Sequence, residues 1–186
     1  MNIYYVIIGL CAIVLIYILV TFNKLIKMQN LVKESFSTMD IYLKKRWDLI
    51  PNLVETVKEY AKYERETLEK VISERTIPYN TMSNNQKMEQ DEKASKDIIQ
   101  IIAISENYPE LKANKNFIQL TRELSQIETD IANSRKYYNG TVRNYNNKVQ
   151  MFPSNIVAFM FRFKRENMIT IKPEERETAK VKFENE

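Results

Sequence analysis

The sequence predicts an all-α protein in which an N-terminal transmembrane helix precedes an antiparallel four-helix bundle with long helices. Three observations support this fold class. Residues 3–22 are almost wholly apolar, Gly140 is the only glycine after residue 23, and apolar side chains recur at steps of three and four along most of the remaining chain. A length of 186 residues is enough for one core plus an anchor, but hardly for two independent cores.

The first predicted element is the membrane helix. No charged residue occurs before Lys24, and the apolar stretch at 3–22 would span about 30 Å at roughly 1.5 Å per residue. A secretory signal peptide would begin with basic residues and end in small residues at a cleavage site, and neither feature is present. We therefore expect a retained anchor that contacts the lipid bilayer through residues 3–22, with Cys11 inside the span.

The basic residues near this span predict its orientation. Lys24, Lys27 and Lys33 follow the apolar stretch, whereas no basic residue precedes it. Because basic flanks stay on the cytoplasmic side, we expect a single-pass protein of the cell membrane with its N-terminus outside and residues 24–186 in the cytoplasm.

Helical periodicity and turn residues predict four helices after the anchor. The first runs over 24–47 and ends at a corner where Asp48 caps a second helix, which has Pro51 in its first turn and continues to about residue 75. The Asn-rich stretch at 77–93 is expected to be a loop, and a third helix is expected over 94–107.

The fourth helix has the clearest pattern in the chain. Asn114 is a suitable N-cap, and a near-heptad apolar seam continues to about residue 149. The seam residues are Phe117, Leu120, Leu124, Ile127, Ile131, Ser134, Tyr138, Val142, Tyr145 and Val149. We therefore divide the chain into an anchor at 1–23, a helical bundle at 24–165 and a polar C-terminal tail at 166–186.

Three long strings resemble the LemA proteins of bacteria. They are residues 22–69, which contain the DLIPNLV corner, residues 108–149, and the FPSNIVA motif at 152–158. The resemblance implies a single N-terminal membrane helix followed by a helical-bundle domain. It supplies no catalytic residue, and Tyr63 stands where the family usually has a histidine.

Composition argues against most kinds of enzyme. The chain has no histidine, one cysteine and two glycines, so histidine-dependent catalysis, zinc fingers, disulfide frameworks and glycine-rich phosphate loops are excluded. We expect no enzyme activity, no cofactor and no metal, although an enzyme that uses carboxylates alone remains a distant alternative. The basic and aromatic run at 159–165 lacks any accompanying nucleic-acid motif, so nucleic acid is not an expected partner.

A polar stripe beside the seam of the fourth helix suggests a first candidate site. Its residues share one side of the helix, and we expect some of them to meet polar residues of the first hairpin in a semi-buried network. The candidate members are Asp40, Arg46, Asp48, Glu128, Arg135 and Asn139. The alternative is a solvated face of ion pairs, each contributing about 0.5 kcal/mol.

The segment at 152–165 suggests a second candidate site, at the membrane surface. In it an apolar and aromatic stretch precedes basic residues, which suits an anionic interface. The candidate contacts are Phe159, Phe161, Arg162, Phe163, Lys164 and Arg165. Alternatively, the apolar residues of this segment cover the open end of the bundle.

Together these features predict a non-enzymatic scaffold or protein-interaction module at the cell membrane. Its partners would be membrane-associated proteins that the sequence does not identify, and self-association is left open. The second reading is a lipid-interacting module of the membrane surface that uses residues 152–165.

Overall fold

The computed structural model describes residues 3–170, and all the regular secondary structure in this range is helical. The helices are α1 (Ile3–Lys58), α2 (Arg65–Ser73), α3 (Asn84–Ser105), α4 (Pro109–Ala113), α5 (Lys115–Gln150) and α6 (Ser154–Met160), with a 3₁₀ turn at Tyr79–Thr81. The prediction of an all-α fold is confirmed. The predicted start of the fourth helix is also confirmed, since the Asn114 carboxamide oxygen accepts hydrogen bonds from the N–H groups of Asn116 and Phe117.

The apolar segment forms the first part of α1. This helix contains an 18-residue window with a mean hydropathy of 2.8, none of which is buried against the rest of the protein. Among the described residues it is the one helix long and apolar enough to cross a membrane. The structure therefore contains a candidate membrane span where the sequence predicts the anchor.

The predicted corner at Asp48 and Pro51 is wrong, because α1 continues through both residues to Lys58. A proline inside a helix lacks the N–H that would bond to the carbonyl four residues earlier, here that of Trp47. In this protein the Arg75 guanidinium donates a hydrogen bond to the Trp47 carbonyl oxygen instead. A partner distant in sequence thus satisfies the carbonyl group that Pro51 leaves free.

The predicted loop at 77–93 is too long, because α3 begins at Asn84 rather than at residue 94. Ser83 and Gln86 form a capping box in which the Ser83 hydroxyl accepts from the Gln86 N–H and the Gln86 side chain accepts from the Ser83 N–H. This reciprocal pair satisfies two N–H groups that a helix start leaves free. The S-x-x-Q spacing was present in the sequence and outweighs the Asn-rich composition around it.

The chain divides into two compact units, and α1 and α5 each contribute residues to both. Of the described residues, unit 1 contains 3–34 and 135–170, and unit 2 contains 35–134. Unit 2 has a continuous apolar core formed by Ile50, Leu53, Val54, Val57, Ala61, Leu68, Val71, Ala94, Ile101, Leu111, Phe117 and Leu124.

Within unit 1, the short helix α6 follows the end of α5. Val157 and Ala158 of α6 are buried, as are Val142 and Tyr145 of α5. Ser154 is the first residue of α6 and follows Pro153 at the N-cap. Its hydroxyl donates to the Lys148 and Met151 carbonyl oxygens, so it satisfies acceptors at the end of α5.

Candidate functional site

The most deeply buried charged group in unit 2 is the Arg46 guanidinium on α1, which is 1% exposed. Its Nη2 contacts the Asp91 carboxylate and donates to the Asp91 carbonyl oxygen at 2.6 Å. Its Nη1 donates to Glu128 Oε1 at 2.5 Å and to Ser95 Oγ at 3.1 Å. This arginine cluster (Arg46, Asp91, Ser95 and Glu128) joins α1, α3 and α5 through charge-assisted hydrogen bonds.

A second polar group in unit 2 centres on Asp40. The Tyr79 hydroxyl donates to Asp40 Oδ1 at 2.7 Å, and the Lys87 ammonium donates to Oδ2 at 2.6 Å. Burial and the hydrogen bond to the Asp40 carboxylate raise the pKa of Tyr79, so its hydroxyl stays protonated and acts as a donor. A phenol held in this state is suited to a structural hydrogen bond rather than to general-base catalysis.

Trp47 and Arg75 form a third contact in unit 2. The guanidinium carbon of Arg75 lies 3.6 Å from the centroid of the Trp47 ring, a cation–π geometry. Burial lowers the pKa of Arg75 to about 10, against the opposing charges of Asp97 and Asp48, and the side chain remains cationic at neutral pH. Arg75 therefore stabilises α1 at Pro51 through both its charge and its hydrogen bond to the Trp47 carbonyl.

The space enclosed beside these groups is small. A cavity lined by Leu43, Arg46, Trp47, Tyr79, Lys87, Gln90, Asp91 and Ala94 has a volume of about 10 Å³. Such a volume holds about one water molecule, so this cavity has no room for a substrate. A separate cleft in unit 2 has a volume of about 280 Å³ and is lined by Thr67, Lys70, Val71, Glu74, Asp97 and Gln100. Within residues 3–170, no group of three or more Cys, Asp or Glu side chains is arranged to hold a metal ion.

The six residues predicted to form one polar network take part in separate contacts. Arg46 and Glu128 meet in the arginine cluster, Asp40 pairs with Lys87, and Asp48 pairs at the surface with Lys44 on the preceding turn of α1. Arg135 and Asn139 belong to unit 1, where Asn139 bonds to the backbone of Ile169. Whether these residues form a functional site stays a prediction.

Sequence reasoning missed Asp91 and Ser95, two members of the arginine cluster. Asp91 lies in the stretch assigned to a loop, so it was not placed on a helix that packs beside α1. The capping box at Ser83 would have moved the start of α3 back to Asn84 and placed Asp91 two helical turns inside it. The periodicity of α3 would then have placed Asp91, Ala94, Ile98 and Ile101 near one another on the helix.

In unit 1 the predicted membrane-contact segment lies against the end of the apolar span. The Phe22 ring contacts Phe161 at a centroid distance of 4.6 Å and Phe163 at 5.8 Å. Several apolar side chains within residues 151–160 face solvent: Phe159 is 88% exposed and Phe152 is 79% exposed, and Met151, Ile156 and Met160 are also exposed. The basic side chains of Arg162, Lys164 and Arg165 are exposed in the same segment.

Residues 163–170, here called the strap, follow α6 and bind to α5 through two asparagines. Asn146 donates to the Glu166 carbonyl oxygen at 2.8 Å and accepts from the Glu166 N–H at 2.9 Å. Asn139 makes the same pair of bonds with Ile169, at 2.8 and 2.9 Å. The Tyr138 hydroxyl donates to the Asn167 carbonyl oxygen at 3.1 Å. The rest of the tail predicted for residues 166–186 lies outside the described residues.

Comparison with known proteins identifies relatives over most of the chain. The sequence profile of the LemA family matches residues 35–183. Protein LemA of Metamycoplasma hominis is 28% identical over 138 residues, which are 73% of this chain and 63% of that protein. Magnetosome proteins MamQ 1 and MamQ 2 of Paramagnetospirillum magneticum are each 30% identical over 73 residues, 39% of this chain and 27% of either relative. The matched regions thus cover less than two thirds of these relatives.

Proposed function

Because the chain belongs to the LemA family and its α1 helix carries an apolar span into a folded helical domain, we propose that it is a membrane-anchored, non-enzymatic scaffold. In this function residues 3–22 cross the cell membrane, and the helical domain of residues 24–165 binds membrane-associated protein partners. The N-terminus lies outside and the domain lies in the cytoplasm.

The observation that supports this proposal best is the continuity of α1. The helix passes from the apolar span into unit 2 with no non-helical linker, and its residues Arg46, Ile50 and Leu53 are fully buried there. A helix that contains both the candidate span and core residues of unit 2 supports a domain that works at the membrane.

The polar interior supports a structural role for unit 2. The arginine cluster consists of charges that bind one another, and the cavity beside it has room for about one water molecule. Buried polar groups with satisfied partners fix the arrangement of packed helices, and catalysis would require a space in which a substrate could reach them.

The scaffold proposal is tested by site-specific crosslinking in intact cells. A photocrosslinking residue at Ile99, which is 70% exposed on α3, should capture discrete membrane-associated proteins, and mass spectrometry would identify them. A chain with Leu53→Asp, which disrupts the core of unit 2, should lose these adducts while the anchor stays in the membrane. Identical adducts from both chains would contradict the proposal.

The orientation is tested separately with protease added to intact spheroplasts. The basic residues that follow the span predict that the helical domain is protected until the membrane is opened. Digestion of the domain in intact spheroplasts would reverse the proposed topology.

The contact of Phe22 with Phe161 and Phe163 favours a second candidate function, a lipid-interacting module of the membrane surface. Phe22 ends the apolar span, so the segment at 152–165 lies where α1 would leave the bilayer. Exposed aromatic and apolar side chains beside basic ones bind anionic interfaces. The aromatic side chains would enter the interface while Arg162, Lys164 and Arg165 contact anionic headgroups.

This second function is tested with the full chain in vesicles that contain anionic lipid. In a Cys11→Ser background, a fluorophore on Phe159→Cys should be quenched by nitroxide-labelled lipid, and one on Asn144→Cys, an exposed position of α5, serves as the control. Equal quenching at the two positions would contradict the lipid contact.

A further inference from the structure

A cleft in unit 2 lies where the turn after α1 meets the turn between α3 and α4. This tyrosine cleft has a volume of about 560 Å³ and is lined by Glu59, Tyr60, Asn107, Tyr108, Pro109 and Glu110. Ligand sites in proteins commonly have volumes of about 300–1,000 Å³. Unlike the cavity beside the arginine cluster, the tyrosine cleft therefore has room for a ligand group.

The two tyrosine rings of the cleft are held in fixed positions. Both are half-buried and pack against the apolar core of unit 2. The Tyr108 hydroxyl donates to Glu64 Oε2 at 2.6 Å, and the Tyr60 hydroxyl accepts from Asn114 Nδ2 at 2.9 Å. Because the core and a hydrogen bond hold each ring, the cleft has its aromatic surface in place before a ligand binds. The face of such a ring is electron-rich and attracts cations.

The charges around the cleft also favour a cationic ligand. The segments at 55–69 and 106–112 contain seven acidic and four basic residues. Three of these basic residues already have partners, since Lys58 pairs with Glu55, Arg65 with Glu69 and Lys112 with Glu106. The carboxylates of Glu59 and Glu110 are exposed, and neither forms an ion pair with a basic side chain of residues 3–170.

We propose that the tyrosine cleft binds an arginine side chain of a protein partner. This role of the cleft rests on the proposed scaffold function, whose partner it would hold. A guanidinium is planar, so it can stack on a tyrosine ring while its N–H groups bind a carboxylate in pairs. Tyr60 and Tyr108 supply the aromatic surface, and Glu59 and Glu110 supply the carboxylates. A neutral or acidic ligand would leave both carboxylates without an opposite charge.

The test measures the binding of a defined probe to the full chain in micelles of an uncharged detergent. The probe is a short dye-labelled peptide of alternating glycine and arginine. A second peptide has citrulline in place of arginine, which keeps the planar shape and removes the charge. Fluorescence anisotropy should show binding of the arginine peptide and about tenfold weaker binding of the citrulline peptide. Equal binding of the two peptides, or no binding of either, would overturn the proposal.

The carboxylates are tested with two double variants. Glu59→Gln with Glu110→Gln should weaken binding of the arginine peptide by roughly fivefold or more. The matched control is Glu89→Gln with Glu123→Gln, which changes the net charge by the same amount at exposed positions outside the cleft and should leave the affinity nearly unchanged. A general attraction between a basic peptide and an acidic surface would weaken equally in both double variants, and that result would overturn the proposal.

The aromatic surface is tested at Tyr108. Tyr108→Phe keeps the ring and should bind the arginine peptide nearly as well as the unsubstituted chain, whereas Tyr108→Leu should bind it about threefold more weakly. Equal affinities in these two variants would overturn the stacking of arginine on the ring. Circular dichroism checks that each variant is folded, and the comparison of the arginine and citrulline peptides needs no variant at all.

Failure of this proposal can be distinguished from failure of the scaffold function. Crosslinked adducts at Ile99 together with equal binding of the two peptides would keep the scaffold function and reject the tyrosine cleft. Selective binding of the arginine peptide by a chain that gives no adducts would reject the scaffold function and keep the cleft as an arginine site.

Discussion

Unit 2 and unit 1 use opposite kinds of polar contact. The arginine cluster of unit 2 consists of charged side chains, two of which, Arg46 and Asp91, are 1% exposed and bind each other directly. In unit 1 the neutral carboxamides of Asn139 and Asn146, here called the asparagine clamp, bind backbone groups of Glu166 and Ile169. A buried charge depends on specific partners of opposite charge, whereas a backbone contact does not depend on the side chain of the bound residue. Unit 2 thus depends on specific charge pairs, whereas the contact in unit 1 depends on neutral hydrogen bonds to the backbone.

The largest expected effect is the loss of the buried charge in unit 2. Arg46→Ala leaves the Asp91 carboxylate buried without its guanidinium, which should lower the free energy of unfolding by about 3–5 kcal/mol. The measurement is urea denaturation of the full chain in detergent, followed by the fluorescence of Trp47, the only tryptophan.

Lys45→Ala is the matched control, because Lys45 is exposed on the neighbouring position of α1. It should change the free energy of unfolding by less than about 0.5 kcal/mol. A similar small effect for Arg46→Ala would show that the arginine cluster does not fix the arrangement of unit 2, and the contrast with unit 1 would fail.

The next effect concerns the proline inside α1. Arg75→Ala leaves the Trp47 carbonyl oxygen without a donor and should cost about 1–3 kcal/mol. Pro51→Ala supplies a backbone N–H for the same carbonyl, so the cost of Arg75→Ala should be smaller in that background. A double-mutant cycle followed by circular dichroism measures this coupling, and additive costs would show that Arg75 does not replace the missing helix bond.

The helical class, the candidate membrane span and the near-heptad seam of α5 could be predicted from the sequence. Each depends on the local spacing of apolar residues, which the sequence shows directly. The sequence did not predict that α1 continues past Asp48 and Pro51, since the group that satisfies the Trp47 carbonyl lies 28 residues away on Arg75. Contacts between helices that are distant in sequence depend on tertiary packing, so local helix propensity does not predict them. The hydrogen bond from Asn139 to the Ile169 carbonyl oxygen could not be predicted for the same reason.

A smaller loss of stability is expected at the asparagine clamp, where only neutral hydrogen bonds are removed. Asn146→Ala deletes both bonds to Glu166, and the strap should open locally at a cost of about 1 kcal/mol, with little change in global unfolding. Hydrogen exchange of the Glu166 amide should accelerate, whereas in Asn144→Ala it should keep its rate. An equal loss of global stability in Asn146→Ala and Arg46→Ala would remove the distinction between the two units.

The smallest expected effect is a pH dependence within unit 2, at Asp97 of α3. Burial and the nearby Glu74 carboxylate raise the pKa of Asp97, against the opposing charges of Arg75 and Lys93. A carboxyl group whose pKa is higher in the folded state binds more protons there than in the unfolded chain, so its contribution to stability falls as pH rises through that pKa. Asp97→Asn removes the cost of burying the ionised carboxylate, so it should raise the urea midpoint at pH 7 and leave it nearly unchanged at pH 3.

The control is Glu89→Gln, an exposed position of the same helix, which should alter neither midpoint. A lower midpoint for Asp97→Asn at pH 7 would mean that the attraction between Asp97 and Arg75 outweighs burial, and that unit 2 depends on this ion pair as well as on the arginine cluster.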